Sequence, residues 1–184
     1  MAYDLLITNA RTRTGKGELL QIGIQDGKIA AIAPSLAGGA GQVIDAGGGL
    51  VTESFVNGHL HLCKVYTLEM AGQAALGEYH HGGMGGAMTA IERAADFKSA
   101  YDESWILPNV RRVCELALRY GNTHIRAFAD VDSKARLEGI KALLKAREEY
   151  KGKVELQVVA FPQDGVEREP EAESYMKQAL EMGA

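Results

Sequence analysis

The sequence predicts a mixed α/β chain. Residues 1–50 are expected to form a small all-β unit, and residues 51–184 the first three strand and helix pairs of a β/α barrel. Three observations lead to this fold class. A tight turn joins short strands near the start of the chain, strands and helices alternate after residue 50, and polar residues stand where the strands of the second part end.

The first part contains short apolar runs separated by turn residues. Strands are predicted over residues 3–9, 19–25, 28–33 and 43–45. Asp26-Gly27 lies between two of these runs and indicates a β-hairpin, because glycine adopts the positive φ that a two-residue turn requires. The glycines at 47–49 are interpreted as a linker. A phosphate-binding loop is less consistent with them, because neither a Lys-Ser/Thr pair nor a helix start follows.

The second part alternates strands with amphipathic helices. Strands are predicted over residues 50–62, 123–131 and 153–161. Helices are predicted over residues 104–120, from Asp132 or Ser133 to Tyr150, and over 170–182, with a short additional helix near 88–95. Their apolar residues recur at helical spacing, and Cys114 falls on the apolar face of its helix, where core packing is its expected role.

The strand over residues 123–131 has two unlike faces. Three small or branched apolar side chains alternate with a more polar set comprising His124, Arg126, Phe128 and Asp130. In a barrel the apolar face would meet the helices and the polar face would line the lumen. Arg126 and Asp130 are interpreted as a structural ion pair or as layer-filling groups, because a buried arginine requires a partner.

The composition argues against several classes of partner. The 184-residue chain has a net charge of −4 and no cluster of basic residues, so nucleic acid is not an expected partner. No apolar segment is long enough for a membrane span or a signal peptide. Cys63 and Cys114 do not form a disulfide framework. A cytoplasmic protein without a membrane partner is therefore expected.

A pair of histidines, His59 and His61, ends the first strand of the second part. Alternate residues of a strand point to the same face, so both imidazoles can bind one cation. Two ligands are not a complete site, because a catalytic zinc or iron centre normally has three or more protein ligands and an open position for water. The pair therefore predicts part of a metal site whose other ligands come from elsewhere.

Alternating strands and helices are compatible with an open doubly wound sheet or with a barrel. A dinucleotide-binding sheet would need Gly-x-Gly-x-x-Gly directly after its first strand, and the glycines at 82–86 come too late. In a barrel, chemistry takes place at the carboxyl ends of strands, where His59, His61, Asp130 and Gln163 are predicted to lie. A barrel is favoured. Since a complete one needs eight strands and about 250 residues, this chain is expected to be its front part.

Four segments carry a resemblance to a known family. They are the β unit around Ile24-Gln25-Asp26-Gly27-Lys28-Ile29, Phe55-Val56-Asn57-Gly58-His59-Leu60-His61-Leu62, Thr123-His124-Ile125-Arg126-Ala127, and Val158-Val159-Ala160-Phe161-Pro162-Gln163-Asp164-Gly165. Together they resemble the N-terminal portion of the amidohydrolase superfamily, and most closely the bacterial-type cytosine deaminases and their relatives that act on triazines and pterins. The last segment is more particular to that branch than the His-x-His element.

The resemblance implies a metal-dependent (β/α)8 TIM barrel preceded by part of a small β-sandwich domain. It implies one divalent ion, zinc or iron, held by His59, His61 and two later ligands beyond Ala184. A metal lowers the pKa of water from about 15.7 toward 7, so hydroxide can attack the amino-bearing carbon of an N-heterocycle and release ammonia. The catalytic acid and base groups would also lie beyond Ala184. The rest of the barrel would come from the same chain or a second chain, and a homo-oligomer is compatible with this.

The same resemblance suggests which residues contact the substrate. Gln163 would hydrogen-bond the ring, although a turn residue after Pro162 is the alternative. Cys63 stands where relatives often have aspartate, and it either lines the pocket or packs in the core. His80 and His81, in the glycine-rich segment 63–87, would cover the substrate unless that loop is purely structural. Phe128 replaces a frequent histidine and makes the lumen more apolar, which argues against a plain cytosine deaminase.

Two other functions are compatible with these residues. One is hydrolysis of another C–N or cyclic amide bond, as in triazine-degrading or hydantoinase-like relatives. The other is an inactive fragment that only assembles with a partner chain. The small zinc-deaminase fold is excluded by the absence of its His-x-Glu and Pro-Cys-x-x-Cys elements.

Overall fold

A computed structural model describes residues 2–67 and 97–184 of the chain. The chain divides into two compact units, Met1–Glu53 and Ser54–Ala184. The helix predicted near 88–95, most of the loop predicted over 63–87, and His80 and His81 lie outside the described residues.

The first unit is a four-stranded sheet in the order β3-β2-β1-β4. Its strands are β1 (Tyr3–Ala10), β2 (Leu20–Gln25), β3 (Lys28–Ala33) and β4 (Ala40–Asp45). β1 pairs antiparallel with β2 and parallel with β4, and β2 and β3 form a hairpin. The predicted turn is confirmed, since Asp26 and Gly27 have φ values of 51° and 70°, as a two-residue hairpin turn of type I′ requires.

The second unit has three parallel strands in the order β5-β6-β7, with helices between and after them. The strands are β5 (Phe55–Leu60), β6 (Asn122–Asp130) and β7 (Glu155–Phe161). The helices are α1 (Glu103–Arg119), α2 (Glu138–Glu149) and α3 (Ala172–Glu181), with short 3-10 turns at Leu62–Lys64 and Phe97–Ala100. The predicted order of these strands and helices is therefore confirmed.

Several element boundaries differ from the prediction. β5 begins at Phe55, five residues later than expected. α2 begins at Glu138 and not after Asp132 or Ser133, because the Oδ1 atom of Asp132 accepts hydrogen bonds from the backbone N–H groups of Lys134 and Ala135 and closes a local turn first. Aspartate commonly stabilises such turns at the expense of a helix.

The core of the second unit lies between the helices and one face of the sheet. Ile125, Ala127 and Ala129 of β6 are almost completely buried there, as the alternation in the sequence predicts. Cys114 is also buried, which confirms its predicted packing role. The small alanines let α2 approach closely: a Cβ added at Gly139 would lie 3.4 Å from the Cβ of Ala129. This packing holds the carboxyl ends of the strands in place.

Among the described residues, no helix combines the length and apolar character needed to cross a membrane.

Candidate active site at the carboxyl edge of the parallel sheet

Polar side chains from all three parallel strands meet at one edge of the sheet. His59 lies in β5 and His61 directly follows it, Asp130 is the last residue of β6, and Gln163 follows β7 by two positions. Because the strands are parallel, their carboxyl ends lie on the same side. The structure therefore brings together the sequence-predicted residues His59, His61 and Gln163 at one edge.

The two histidines of the predicted metal pair are neighbours. Their ring centroids are 5.1 Å apart and the rings meet edge to face. The His59 backbone N–H is held by the side-chain oxygen of Asn57 at 3.1 Å. His59 is exposed, whereas only 21% of the His61 side chain is. This spacing is compatible with two imidazoles that bind one metal ion.

Asp130 is the buried anion beneath this pair. Its Oδ1 lies 3.4 Å from the Nδ1 of His61, and its Oδ2 accepts from Lys64 Nζ at 3.0 Å and from the Tyr101 hydroxyl at 3.3 Å. Burial would raise the pKa of the Asp130 carboxyl, but the contact with His61 and the ammonium of Lys64 outweigh it and hold that pKa below its usual value. Asp130 is therefore an anion at neutral pH.

Arg126 and Asp130 were predicted to form an ion pair or to act as layer-filling groups, and the ion pair is wrong. Arg126 is exposed, and its Nε donates to the Oε1 of Gln157 at 2.8 Å. Asp130 takes Lys64 as its counter-ion. The sequence argument paired two residues of one strand face, but the charge that reaches Asp130 comes from the turn that follows His61.

Lys64 connects the end of β6 to the loop after β7. Its Nζ donates to both carboxylate oxygens of Asp130, at 3.2 and 3.0 Å, and to the Oε1 of Gln163. Sequence reasoning did not identify Lys64 as a site residue. The available signal was its position, since it is a basic residue three positions after the second histidine of a metal-binding pattern.

A second buried cation joins the neighbouring loops. Lys98 is only 2% exposed, and its Nζ donates to Asp132 at 2.8 Å and to Asp164 at 2.7 Å. Burial would lower the pKa of Lys98, but these two hydrogen bonds outweigh it and raise that pKa above its ordinary value. Through these hydrogen bonds Lys98 links the segment before α1 to the loop after β6 and to the loop after β7. Its partner Asp164 directly follows Gln163 in the chain.

Aromatic rings form the apolar part of this edge. Phe128 lies 4.3 Å from His59 and 5.5 Å from His61, measured between ring centroids, and Phe161 lies 5.0 Å from His61. The two phenylalanines meet at 5.4 Å, almost perpendicular to each other. Phe128 therefore packs directly against both histidines, and its effect on a barrel lumen stays a prediction.

Cys63 packs in the core below the edge. Its side chain is completely buried, its Sγ accepts from the backbone N–H of Asp130 at 3.4 Å, and it contacts the Tyr101 hydroxyl at 3.7 Å. Burial raises the pKa of this thiol to about 12. The thiol takes the position that the packing alternative describes, and it has no exposed surface with which to line a pocket.

The residues at this edge fit part of a metal site. Two imidazoles are a donor set that zinc and iron accept. No regular hydrogen bond from the described residues reaches the buried Nδ1 of His61, so the carboxylate of Asp130 is the group that faces it. Metal-bound histidines commonly direct their second nitrogen at a carboxylate in this way. Within residues 2–67 and 97–184 no cluster of three or more metal-binding side chains exists, so the fit is partial.

Comparison with known proteins shows which family the chain resembles. Residues 42–182 match the model of the amidohydrolase family. Over 98% of its length the chain is 32% identical to N-isopropylammelide isopropyl amidohydrolase of Pseudomonas sp. (strain ADP), of which it covers 44%.

Matches to solved structures agree with this family match. The chain matches 5-methylcytosine deaminase from Klebsiella pneumoniae, liganded with phosphonocytosine, with a TM-score of 0.79 and 30% identity, covering 97% of this chain and 42% of that one. It matches N-isopropylammelide isopropylaminohydrolase from Burkholderia multivorans ATCC 17616 with a TM-score of 0.77 and 31% identity, covering 98% and 43%. The chain spans less than half the length of these relatives. The resemblance drawn from the sequence is confirmed, and the chain belongs to the amidohydrolase family.

Proposed function

We propose that this chain forms part of a metal-dependent hydrolase that deaminates an amino-substituted N-heterocycle. In this proposal residues 1–50 contribute to a small β-sandwich domain, and residues 51–184 supply the first three β/α units of a TIM barrel. The observation that supports it best is the meeting of His59, His61, Asp130 and Gln163 at the carboxyl edge of three parallel strands, which is where barrel enzymes carry out their chemistry.

His59 and His61 would hold one divalent ion, zinc or iron. When bound, such an ion activates water as a nucleophile at neutral pH and polarises the group under attack. Asp130 would keep the His61 ring in one orientation through its contact with Nδ1. The remaining ligands and the groups that move protons would come from residues outside this chain, whether from the same polypeptide or from a second one.

The rest of the edge would bind and enclose the ring. Gln163 would hydrogen-bond the heterocycle through its carboxamide, and the faces of Phe128 and Phe161 would exclude water beside the histidines. His80 and His81, which lie outside the described residues, are proposed to cover the substrate. Cys63 is assigned a packing role here, because its thiol is completely buried.

A second candidate reaction is release of an alkylamine from a substituted triazine. It is favoured by the identity, above 30% over almost the whole chain, to two enzymes named as acting on N-isopropylammelide. Both reactions break a bond between a ring carbon and an exocyclic nitrogen, so the residues described here would serve either one. The released product separates them: ammonia indicates deamination of a free amino group, and isopropylamine indicates the triazine reaction.

The proposal is tested on the intact protein by measuring metal content, metal affinity and product release with cytosine and N-isopropylammelide. His59→Ala and His61→Ala should each lose tight binding of zinc or iron together with product release. His124→Ala is the matched control, because His124 is an exposed histidine near the start of β6 and contacts Thr123. Unchanged metal affinity and turnover in His59→Ala would show that the proposed metal pair is wrong.

A further inference from the structure

Lys64 makes a branched contact that the proposed chemistry does not itself explain. Its ammonium donates to both oxygens of the Asp130 carboxylate and also to the side-chain oxygen of Gln163. Asp130 is completely buried and comes from β6, whereas Gln163 is half-buried and follows β7. Lys64 therefore joins the buried anion beneath the metal-binding pair to the residue proposed to contact the substrate.

The chemistry of this contact determines how the Gln163 carboxamide is turned. A carboxamide carries an acceptor oxygen at one end and a donor NH2 group at the other, and the two ends have nearly the same shape. An ammonium group has three donors and no acceptor. The end that faces Lys64 must therefore be the oxygen, which turns the NH2 group of Gln163 away from Lys64.

The position of Lys64 is itself constrained. Its contact with a fully buried carboxylate gives a charge-assisted pair that needs its counter-ion, because an unpaired buried anion is costly. Lys64 also lies in the short 3-10 turn Leu62–Lys64, in which the backbone N–H of Lys64 donates to the His61 carbonyl. Within the described part of the chain, the Gln163 NH2 group has no hydrogen-bond partner.

We propose that Lys64 is a positioning residue that fixes the Gln163 carboxamide so that its NH2 group faces the substrate, which makes the site select rings with a hydrogen-bond acceptor at that position. The inference rests on the proposed function, because it takes Gln163 as a substrate contact. A carbonyl oxygen or an unprotonated ring nitrogen would accept from this NH2 group. A ring amino group at the same place would meet donor against donor and be rejected.

The test uses two probes that share the ring N1–H and the 4-amino group and differ only in the acceptor at ring position 2: cytosine has a carbonyl oxygen, and 2-thiocytosine has a thiocarbonyl sulfur, a much weaker acceptor. The measured quantity is the ratio of their dissociation constants for the intact, metal-loaded protein. The wild type should prefer cytosine by about tenfold or more, as expected when one site offers a hydrogen-bond donor. Because the quantity is a ratio, partial loss of metal or of folded protein in a variant affects both probes alike.

Two variants change the carboxamide in different ways. Gln163→Glu replaces the NH2 group by an acceptor oxygen while keeping a partner for Lys64, so the preference should fall by about tenfold or reverse. Lys64→Met leaves Gln163 in place but free to rotate, so the ratio should move toward one. The matched control Lys151→Met also removes a lysine charge, but at a side chain that is 80% exposed, and the ratio should stay at its wild-type value.

An unchanged ratio in Gln163→Glu would overturn the inference, because the carboxamide would then not face the ligand. An unchanged ratio in Lys64→Met, with a changed ratio in Gln163→Glu, would also overturn it, because Lys64 would not set the orientation. Failure of the proposed function has a different signature, since the wild type would then bind neither probe. In that event a crystal structure of the protein decides the inference, which is upheld by a Lys64 contact with the Gln163 oxygen and overturned by its absence.

Discussion

The Nδ1 atom of His61 and the Oδ1 atom of Asp130 lie 3.4 Å apart, where the neighbouring strands β5 and β6 end. The carboxylate is completely buried and is also contacted by Lys64 and by the Tyr101 hydroxyl. These contacts restrain the carboxylate, which is the group that faces the Nδ1 of His61. This arrangement would leave the Nε2 of His61 for a metal, so the relationship has a measurable consequence.

Asp130→Asn should weaken zinc binding by about 10- to 100-fold, because the amide keeps the shape of the side chain but removes the charge that orients His61. The affinity is measured by competition with a chromophoric chelator on the intact protein. Glu155→Gln is the control, since it neutralises an exposed carboxylate near the start of β7. Equal zinc affinities in Asp130→Asn and the wild type would contradict this role.

Lys98→Met should lower the free energy of unfolding by about 3 kcal/mol, because it leaves the buried Asp132 carboxylate without its cation. The measurement is urea unfolding followed by Trp105 fluorescence. Lys177→Met serves as the control, because its pair with Glu173 is exposed and its loss should change stability little. Adding Asp132→Asn to Lys98→Met should recover part of the loss. No recovery in the double variant would show that an unpaired charge is not the cause.

Gly139→Ala should destabilise the second unit by about 1–3 kcal/mol through overpacking. The added Cβ would lie 2.8 Å from the Cβ of Cys63, closer than packed carbon atoms approach each other. Gly39→Ala provides the comparison, because a Cβ at Gly39 meets nothing within 4 Å. The midpoint of urea unfolding reports both. A midpoint in Gly139→Ala as high as in Gly39→Ala would mean that α2 can move away from Cys63 at no cost.

The protein should lose stability in alkaline solution partly through Cys114. Burial raises the pKa of this thiol from about 9 to about 12, so the unfolded chain releases its proton at a lower pH than the folded one. Between these two values the folded state binds more protons, and stability therefore falls as the pH rises. In urea unfolding at pH values between about 8 and 11, Cys114→Ala should show a shallower decline than the wild type. Parallel declines would show that this thiol does not contribute.

Local patterns were sufficient for much of the fold. The hairpin at Asp26-Gly27 depends on two neighbouring backbone conformations, and the buried face of β6 depends on strict alternation. Both are visible within a few residues. The start of α2 was misplaced because the Asp132 side chain accepts hydrogen bonds from the backbone N–H groups of Lys134 and Ala135 and forms a turn there. Periodicity does not reveal this choice between two local hydrogen-bond patterns.

The candidate site shows the same division. His59 and His61 were predicted as metal ligands from their spacing and their place at a strand end, and Gln163 as a substrate contact because its segment resembles a known one; these roles stay predictions. Lys64 and Lys98 were missed because their partners are far away along the chain: Lys64 reaches Asp130 and Gln163, and Lys98 reaches Asp132 and Asp164. Arg126 was given the wrong partner for the same reason.

The sequence by itself therefore determined the order of the elements, the position of the histidine pair at a strand end and the family. These depend on hydrophobic period, turn chemistry and short motifs, which are local properties of the chain. The tertiary structure alone decided which charges meet. Asp130 and Gln163 lie 66 and 99 positions after Lys64, and both contact its ammonium group. Because this place is buried and weakly screened, the tertiary contact decides that Asp130 forms its ion pair with Lys64.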